Sequence, residues 1–207
     1  MDLSNPAATI SAPLTGRVLE TLSGTTLPLS GREIHRITGF GSVAGVWKVL
    51  ARLEQQGVVV ADHRLKLTHY VGNREHLAWP AIESLVGLRS ALFERIRAEI
   101  QAWTVPPIHA SVFGSAARRD ADAESDVDLL LVCEDSLAPI HLETWEHQLA
   151  RLREQVRTWT GNNCQTLAIS RRRFGQHVAA RDPMVKEWER DSVLIAGEPV
   201  STLIRRA

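Results

Sequence analysis

The chain has 207 residues, 44% of them apolar and 23% charged, and its 24 Lys and Arg balance its 24 Asp and Glu. That composition excludes a disordered, collagen-like or disulfide-stapled chain, and the length suits one domain or two small ones at roughly 100–200 residues each. No apolar run approaches the ~20 residues of a membrane-spanning helix, and MDLSNPAATISAPL lacks the basic and apolar regions of a signal peptide, so a cytoplasmic protein without membrane contact is expected.

Thr15 is placed to cap a first helix whose Val18, Leu19 and Leu22 share one face, with Gly24 as its stop. Ser30 caps a second, GREIHRIT, presenting Ile34 and Ile37. After Gly39 and Gly41, Ser42 caps a third, with Val43, Val46, Trp47, Leu50 and Leu53 at helical spacing up to Gly57. Val58-Val59-Val60 and Leu65-Lys66-Leu67-Thr68 then read as a hairpin joined by Ala61-Asp62-His63-Arg64. Three helices followed by a hairpin, within residues 1–79, resemble the winged helix-turn-helix family. The resemblance implies double-stranded DNA as partner. The implied contacts are Arg32 and Arg36, then Ser42, Lys48 and Arg52 on the recognition helix, and His63, Arg64 and Lys66 in the wing. Residues 1–79 as a whole carry eight basic and six acidic side chains, a small excess for a phosphate-dominated interface. Winged helices also dock proteins, and a homodimer would supply more charge.

Trp79-Pro80 opens a long helix, with proline at a tolerated first-turn position. Leu85, Leu88, Leu92, Ile96, Ile100 and Trp103 recur at helical spacing until Pro106-Pro107, making residues 80–107 a linking helix. Its stripe suits either a core face or a dimer seam. Beyond the prolines, 108–113, 127–133 and 164–169 read as strands. Pro139 opens a helix between the last two, and the tail adds helices over 171–181 and from Asp182-Pro183 to Leu194. Cys133 and Cys164 lie in apolar stretches and read as free, buried thiols. The expected fold class is therefore α/β (α+β), with a small mixed sheet flanked by helices over residues 108–207.

The chemistry concentrates in SVFGSAARRDADAESDVDLLLV, residues 111–132. A strand stops at Gly114-Ser115, where glycine permits close backbone approach and the following amides suit an anion. The Ser115 hydroxyl and the Arg118 fork, one turn on, suit phosphate. Asp126 and Asp128 then enter an apolar strand two residues apart, so their carboxylates share a face at roughly 6–7 Å of backbone separation. Their mutual repulsion is relieved by a divalent cation, and oxygen ligands beside a phosphate site favour Mg²⁺ or Mn²⁺ over zinc. Residues 108–170 carry five basic against ten acidic side chains, and 171–207 eight against five, an acidic centre beside a basic segment.

Gly114-Ser115, ten residues, then Asp126-x-Asp128 in a hydrophobic strand resembles the signature of the DNA polymerase β-like nucleotidyltransferase superfamily, its small members above all. The resemblance spans roughly residues 108–195. It implies that Gly114, Ser115 and Arg118 hold a nucleoside triphosphate and that Asp126 and Asp128 are catalytic and bind Mg²⁺. A hydroxyl on a protein or nucleic acid would then attack the α-phosphorus in a two-metal mechanism. Arg119 stands where many members have glycine. Active members also supply a third carboxylate from a later strand, but Cys164-Gln165-Thr166-Leu167-Ala168-Ile169 holds no acid, and Gln165 offers only a neutral amide. Asp120, Asp122 and Glu124 are substitutes within the loop. The alternative is a DNA-binding transcriptional regulator with a catalytically impaired, nucleotide-sensing domain.

Overall fold

A computed structural model describes residues 1–63 and 67–207. It is a mixed α and β protein with two small sheets, and the chain divides into two compact units, Asn5–Leu88 and Arg89–Ala207 with Met1–Ser4.

In the first unit a short 3₁₀ helix (Pro6–Thr9) precedes α1 (Pro13–Ser23), β1 (Leu29–Ser30), α2 (Gly31–Thr38) and α3 (Val43–Gln55). β2 (Val59–Asp62), β3 (His69–Gly72) and α4 (Trp79–Val86) complete it. Local chemistry sets the middle helices. Ser30 and Glu33 form a reciprocal capping box, Gly39 ends α2 at φ 59°, and the Ser42 hydroxyl accepts from the Gly45 amide at 3.1 Å. Val46, Leu50 and Leu53, one stripe of α3, bury against Val18, Leu22 and Ile34.

Several expectations change. α1 begins at Pro13 without a side-chain cap, because Thr15 is buried and its hydroxyl accepts from Arg52 Nη2 at 3.0 Å. Ile37 and Trp47 are not core residues, being 53% and 50% exposed. Trp47 sits one residue off the α3 stripe, about 100° round the helix. Its indole covers Gly31, where an added Cβ would lie 2.5 Å from Trp47 Nε1. The strand pairing with β2 is 69–72, later than expected, with Asp62 opposite His69. Of the expected wing contacts, Arg64 and Lys66 lie outside the described residues.

The 80–107 stretch is two helices, α4 and α5 (Leu88–Gln101), that meet at Gly87, the C-cap of α4 at φ −82°, ψ −3°. Its stripe is divided between cores: Trp79 and Ile82 bury in the first unit, Leu92, Ile96 and Ile100 in the second. The apolar spacing thus serves this chain's own packing.

The second unit is built on a sheet in the order β6-β5-β4-β7, comprising β4 (His109–Phe113), β5 (Val127–Cys133), β6 (Cys164–Ser170) and β7 (Val193–Gly197). β4 is antiparallel to β5 and β7, and β5 is parallel to β6 through the crossover helix α7 (Pro139–Thr160). The short α6 (Gly114–Arg118), α8 (Arg171–Ala179), α9 (Pro183–Asp191) and α10 (Val200–Arg206) complete it. β5 is buried on both faces. Leu129 and Leu131 meet Trp145 and Leu152, whereas Leu130 and Val132 meet Phe174 and Trp188. Each such leucine contributes about 1.5–3 kcal/mol of transfer free energy, and its two-sided burial explains the missing polar alternation. β7 corrects the expected helix to Leu194: Ser192 turns extended (φ −67°, ψ 138°), and Val193 and Leu194 pair with Val112 and Ser111. Cys133 and Cys164 are free thiols, and burial pushes the Cys164 thiol up to about 12. Among the described residues, no helix is long and apolar enough to cross a membrane.

Candidate functional site

β4 and β5 bring the two halves of the 111–132 motif together. Phe113 pairs with Asp128, so the chain leaves β4 at Gly114 directly beside that carboxylate. Gly114 has φ 69°, the left-handed region that glycine tolerates, and a Cβ there would sit 2.5 Å from Asp128 Oδ2. Asp126 and Asp128 share the strand face of Leu130 and Val132, at the end where that apolar core stops. Burial raises the Asp128 carboxyl above its ordinary value and the neighbouring Asp126 carboxylate raises it further, with Arg118 opposing both.

Arg118 ends α6 and is shared between two acids, with Nε on Asp120 at 3.0 Å and Nη1 on Asp191 at 3.5 Å. Asp191, only 9% exposed at its side chain, also receives Arg190 Nε and Nη2 at 2.7 Å each. The Arg190 contacts first, and Arg118 after them, lower its carboxyl. Arg89 of α5 closes the other side, donating to the carbonyls of Ala116 and Ala117 at 2.8 and 2.7 Å. Arg119 caps α6 at φ 66°, ψ 31°. That bend is left-handed, a conformation glycine enters without the steric cost an L-residue carries.

Gln165 takes the position beside Asp128 in the parallel β5–β6 ladder, and its Nε2 donates to Asp126 Oδ2 at 3.3 Å. Asp120 and Asp122, the loop acids nearest in sequence to Arg118, both have partners here. Asp120 holds Arg118, while Asp122 accepts from the Ser125 hydroxyl at 2.7 Å and the Glu124 amide at 3.0 Å. Buried Asn162 fixes the approach to Asp126 by donating to the Ser125 and Ala123 carbonyls at 2.8 and 3.3 Å. Asp191, Arg89 and Asn162 escape sequence reasoning, since each acts on a partner between 27 and 73 residues away and stands in no local motif.

Among the described residues, no three His, Cys, Asp or Glu side chains gather as a metal cluster. The donor set is two carboxylates with an amide beside them. This fits Mg²⁺, which is held by one or two carboxylates plus substrate phosphates, and does not resemble a zinc cage.

A groove of about 340 Å³ adjoins this site between α7 and β6, lined by Arg153, Glu154, Arg157, Asn163 and Gln165. Arg153 donates to the Thr166 hydroxyl at 2.9 Å. The Arg171-Arg172-Arg173 run is far from the acids: it follows Ser170, which pairs with Cys133 at the opposite end of β5, about 16–23 Å along the strand.

In the first unit Arg32, Arg36 and Lys48 are exposed, and Ser42 spends its hydroxyl on the α3 cap. Arg52 is turned to Thr15. His63 bonds Glu54 at 2.8 Å. A second groove of about 410 Å³ is lined by Ser30, Arg32, Trp47, Thr68 and Tyr70. No family model matches the chain, and no curated protein sequence matches it.

Proposed function

We propose that the second unit is a Mg²⁺-dependent nucleotidyltransferase domain of the DNA polymerase β-like type and that the first is a winged helix-turn-helix that binds double-stranded DNA. The observation that carries the reading is the Asp128 carboxylate packed against the Gly114 bend, with Asp126 on the same face. In this reading the bend and Ser115 receive the triphosphate of an NTP, and Arg118 exchanges part of its Asp120 and Asp191 contacts for phosphate oxygens. Asp126 and Asp128 would hold a divalent cation, which would supply positive charge to the phosphates. The accepting hydroxyl forms a bond to the α-phosphorus, the bond to the bridging oxygen breaks, pyrophosphate leaves, and the hydroxyl proton passes to solvent. Gln165 orients Asp126 and takes no proton.

Because Gln165 occupies the ladder position beside Asp128, a second reading has its own support: a regulator that binds nucleotide without turning it over. Loss of a positioned base costs ~10²–10⁴-fold in rate. Incubation with each α-labelled NTP and Mg²⁺ or Mn²⁺ separates the two. Label transfer abolished by Asp126→Ala/Asp128→Ala supports the enzyme, whereas nucleotide binding without transfer supports the regulator and overturns the enzyme.

For the first unit, the exposed cations Arg32, Arg36 and Lys48 support duplex binding. Replacing all three with alanine is expected to weaken binding and to reduce the slope of log K against log salt by up to about 2.7. Unchanged affinity overturns DNA as the partner and turns attention to the exposed Ile37, Phe40 and Trp47 as a protein-docking surface.

A further inference from the structure

The groove between α7 and β6 is distinct from the triphosphate side of the site, yet shares Gln165 with it. Ala150, Arg153, Glu154 and Arg157 are spaced i, i+3, i+4 and i+7, so they form one stripe of α7 along the groove. Two arginines one turn apart repel each other by a few tenths of a kcal/mol. Neither forms an ion pair with another described residue, and only Arg153 has a hydrogen-bonded anchor, the Thr166 hydroxyl at 2.9 Å. α7 packs on the Leu129 and Leu131 face of the sheet and the acids lie on the Leu130 and Val132 face, and Gln165 of the edge strand β6, which lines the groove and donates to Asp126, is common to groove and acids.

We propose that this groove binds the sugar–phosphate backbone of a single-stranded nucleic acid, with Arg153 and Arg157 on successive phosphates and the strand's terminus at Gln165. The i,i+4 spacing places the two guanidinium forks about 5–6 Å apart at their roots, a step comparable to that between phosphates of an extended strand. Glu154 on the same stripe accepts hydrogen bonds from sugar hydroxyls or base amino groups, donors that a nucleotide carries and inorganic phosphate lacks. The terminal hydroxyl then stands next to Asp126 and Asp128, which names the acceptor class for the transfer proposed above and rests on that reading for its catalytic consequence.

The test measures binding of a short fluorescent single-stranded oligonucleotide carrying a 3′-terminal 4-thiouridine. The full chain is used without NTP or metal, followed by photocrosslinking and peptide mapping. The wild type is expected to crosslink through the β6 and α7 peptides. Arg153→Ala/Arg157→Ala is expected to bind about tenfold or more weakly, with the salt slope reduced by about 1.4. Arg153→Lys/Arg157→Lys, which keeps the charge, recovers most of the slope, and Arg171→Ala/Arg172→Ala, at the far end of the sheet, leaves the crosslink in place. Crosslinking confined to the first unit, or an unchanged slope in the double alanine variant, overturns the proposal. So does equal competition by inorganic phosphate or by an acidic peptide. Arginine-dependent binding with no label transfer in the NTP assay upholds the groove and overturns the transfer reading, so the two failures are distinguishable.

Discussion

The Asp128 carboxylate fills the space that a side chain at residue 114 would need: a Cβ on Gly114 would lie 2.5 Å from Asp128 Oδ2. Gly114→Ala therefore meets two obstacles, the contact itself and a φ of 69° that costs an L-residue about 1–2 kcal/mol. Urea denaturation is expected to show a loss of at least that size, and a smaller loss when the same change is made in an Asp128→Ala background. An equal cost in both backgrounds removes the contact as a cause.

The raised Asp128 carboxyl gives a pH signature. Its folded-state value exceeds its ordinary value of 3.8, so the folded chain binds that proton more tightly than the unfolded chain. The contribution to stability is present at low pH and is lost as pH rises through the raised value. In EDTA at pH 7, Asp128→Asn is expected to be more stable than the wild type, with the difference closing near pH 3.5. Mg²⁺ is expected to stabilise only the wild type. Identical denaturation midpoints at pH 7 contradict a carboxyl raised first by burial and then by the Asp126 carboxylate.

Arg119 holds a left-handed conformation at φ 66°, so side-chain loss and backbone strain are separated by comparing two variants. Arg119→Gly is expected to be more stable than Arg119→Ala by about 1 kcal/mol, because only glycine enters this region without steric cost. Equal melting temperatures refute the assignment of strain to this bend.

His109, the first residue of β4, is completely buried and pairs with Gly197 of β7. Its Nδ1 lies 2.6 Å from the Glu198 carbonyl, which only accepts, so Nδ1 carries the proton and Nε2 accepts from the Ser111 hydroxyl at 2.8 Å. Burial lowers its affinity for a second proton. Between the lowered folded value and the unfolded 6.5, the unfolded chain binds more protons, so stability is full above pH 6.5 and falls as pH drops below it. Melting temperatures from pH 7.5 to 5 are expected to decline, and His109→Gln is expected to flatten this part of the profile. A wild-type profile already flat over that range disproves the linkage.

What the sequence determines by itself is local. Ser30 with Glu33, and Ser42, announce their helices because a cap and its amide are three residues apart. The unbroken apolar run at 129–132 announces a strand buried on both faces, and Gly114-Ser115 and Asp126-x-Asp128 are visible as spacing. The tertiary structure decides whatever depends on partners distant in sequence. It makes Val193–Gly197 a strand, because a short apolar run becomes one only when β4 offers its edge. It turns Arg52 to Thr15, across 37 residues, and gives the α3 stripe to Val46 and Leu50 while leaving Trp47 over Gly31. It also sets Gln165 beside Asp128 and brings Asp191 to Arg118. Capping and periodicity are encoded within a few residues, whereas pairing register and side-chain partnership are settled by the packing of segments that meet only when the chain has folded.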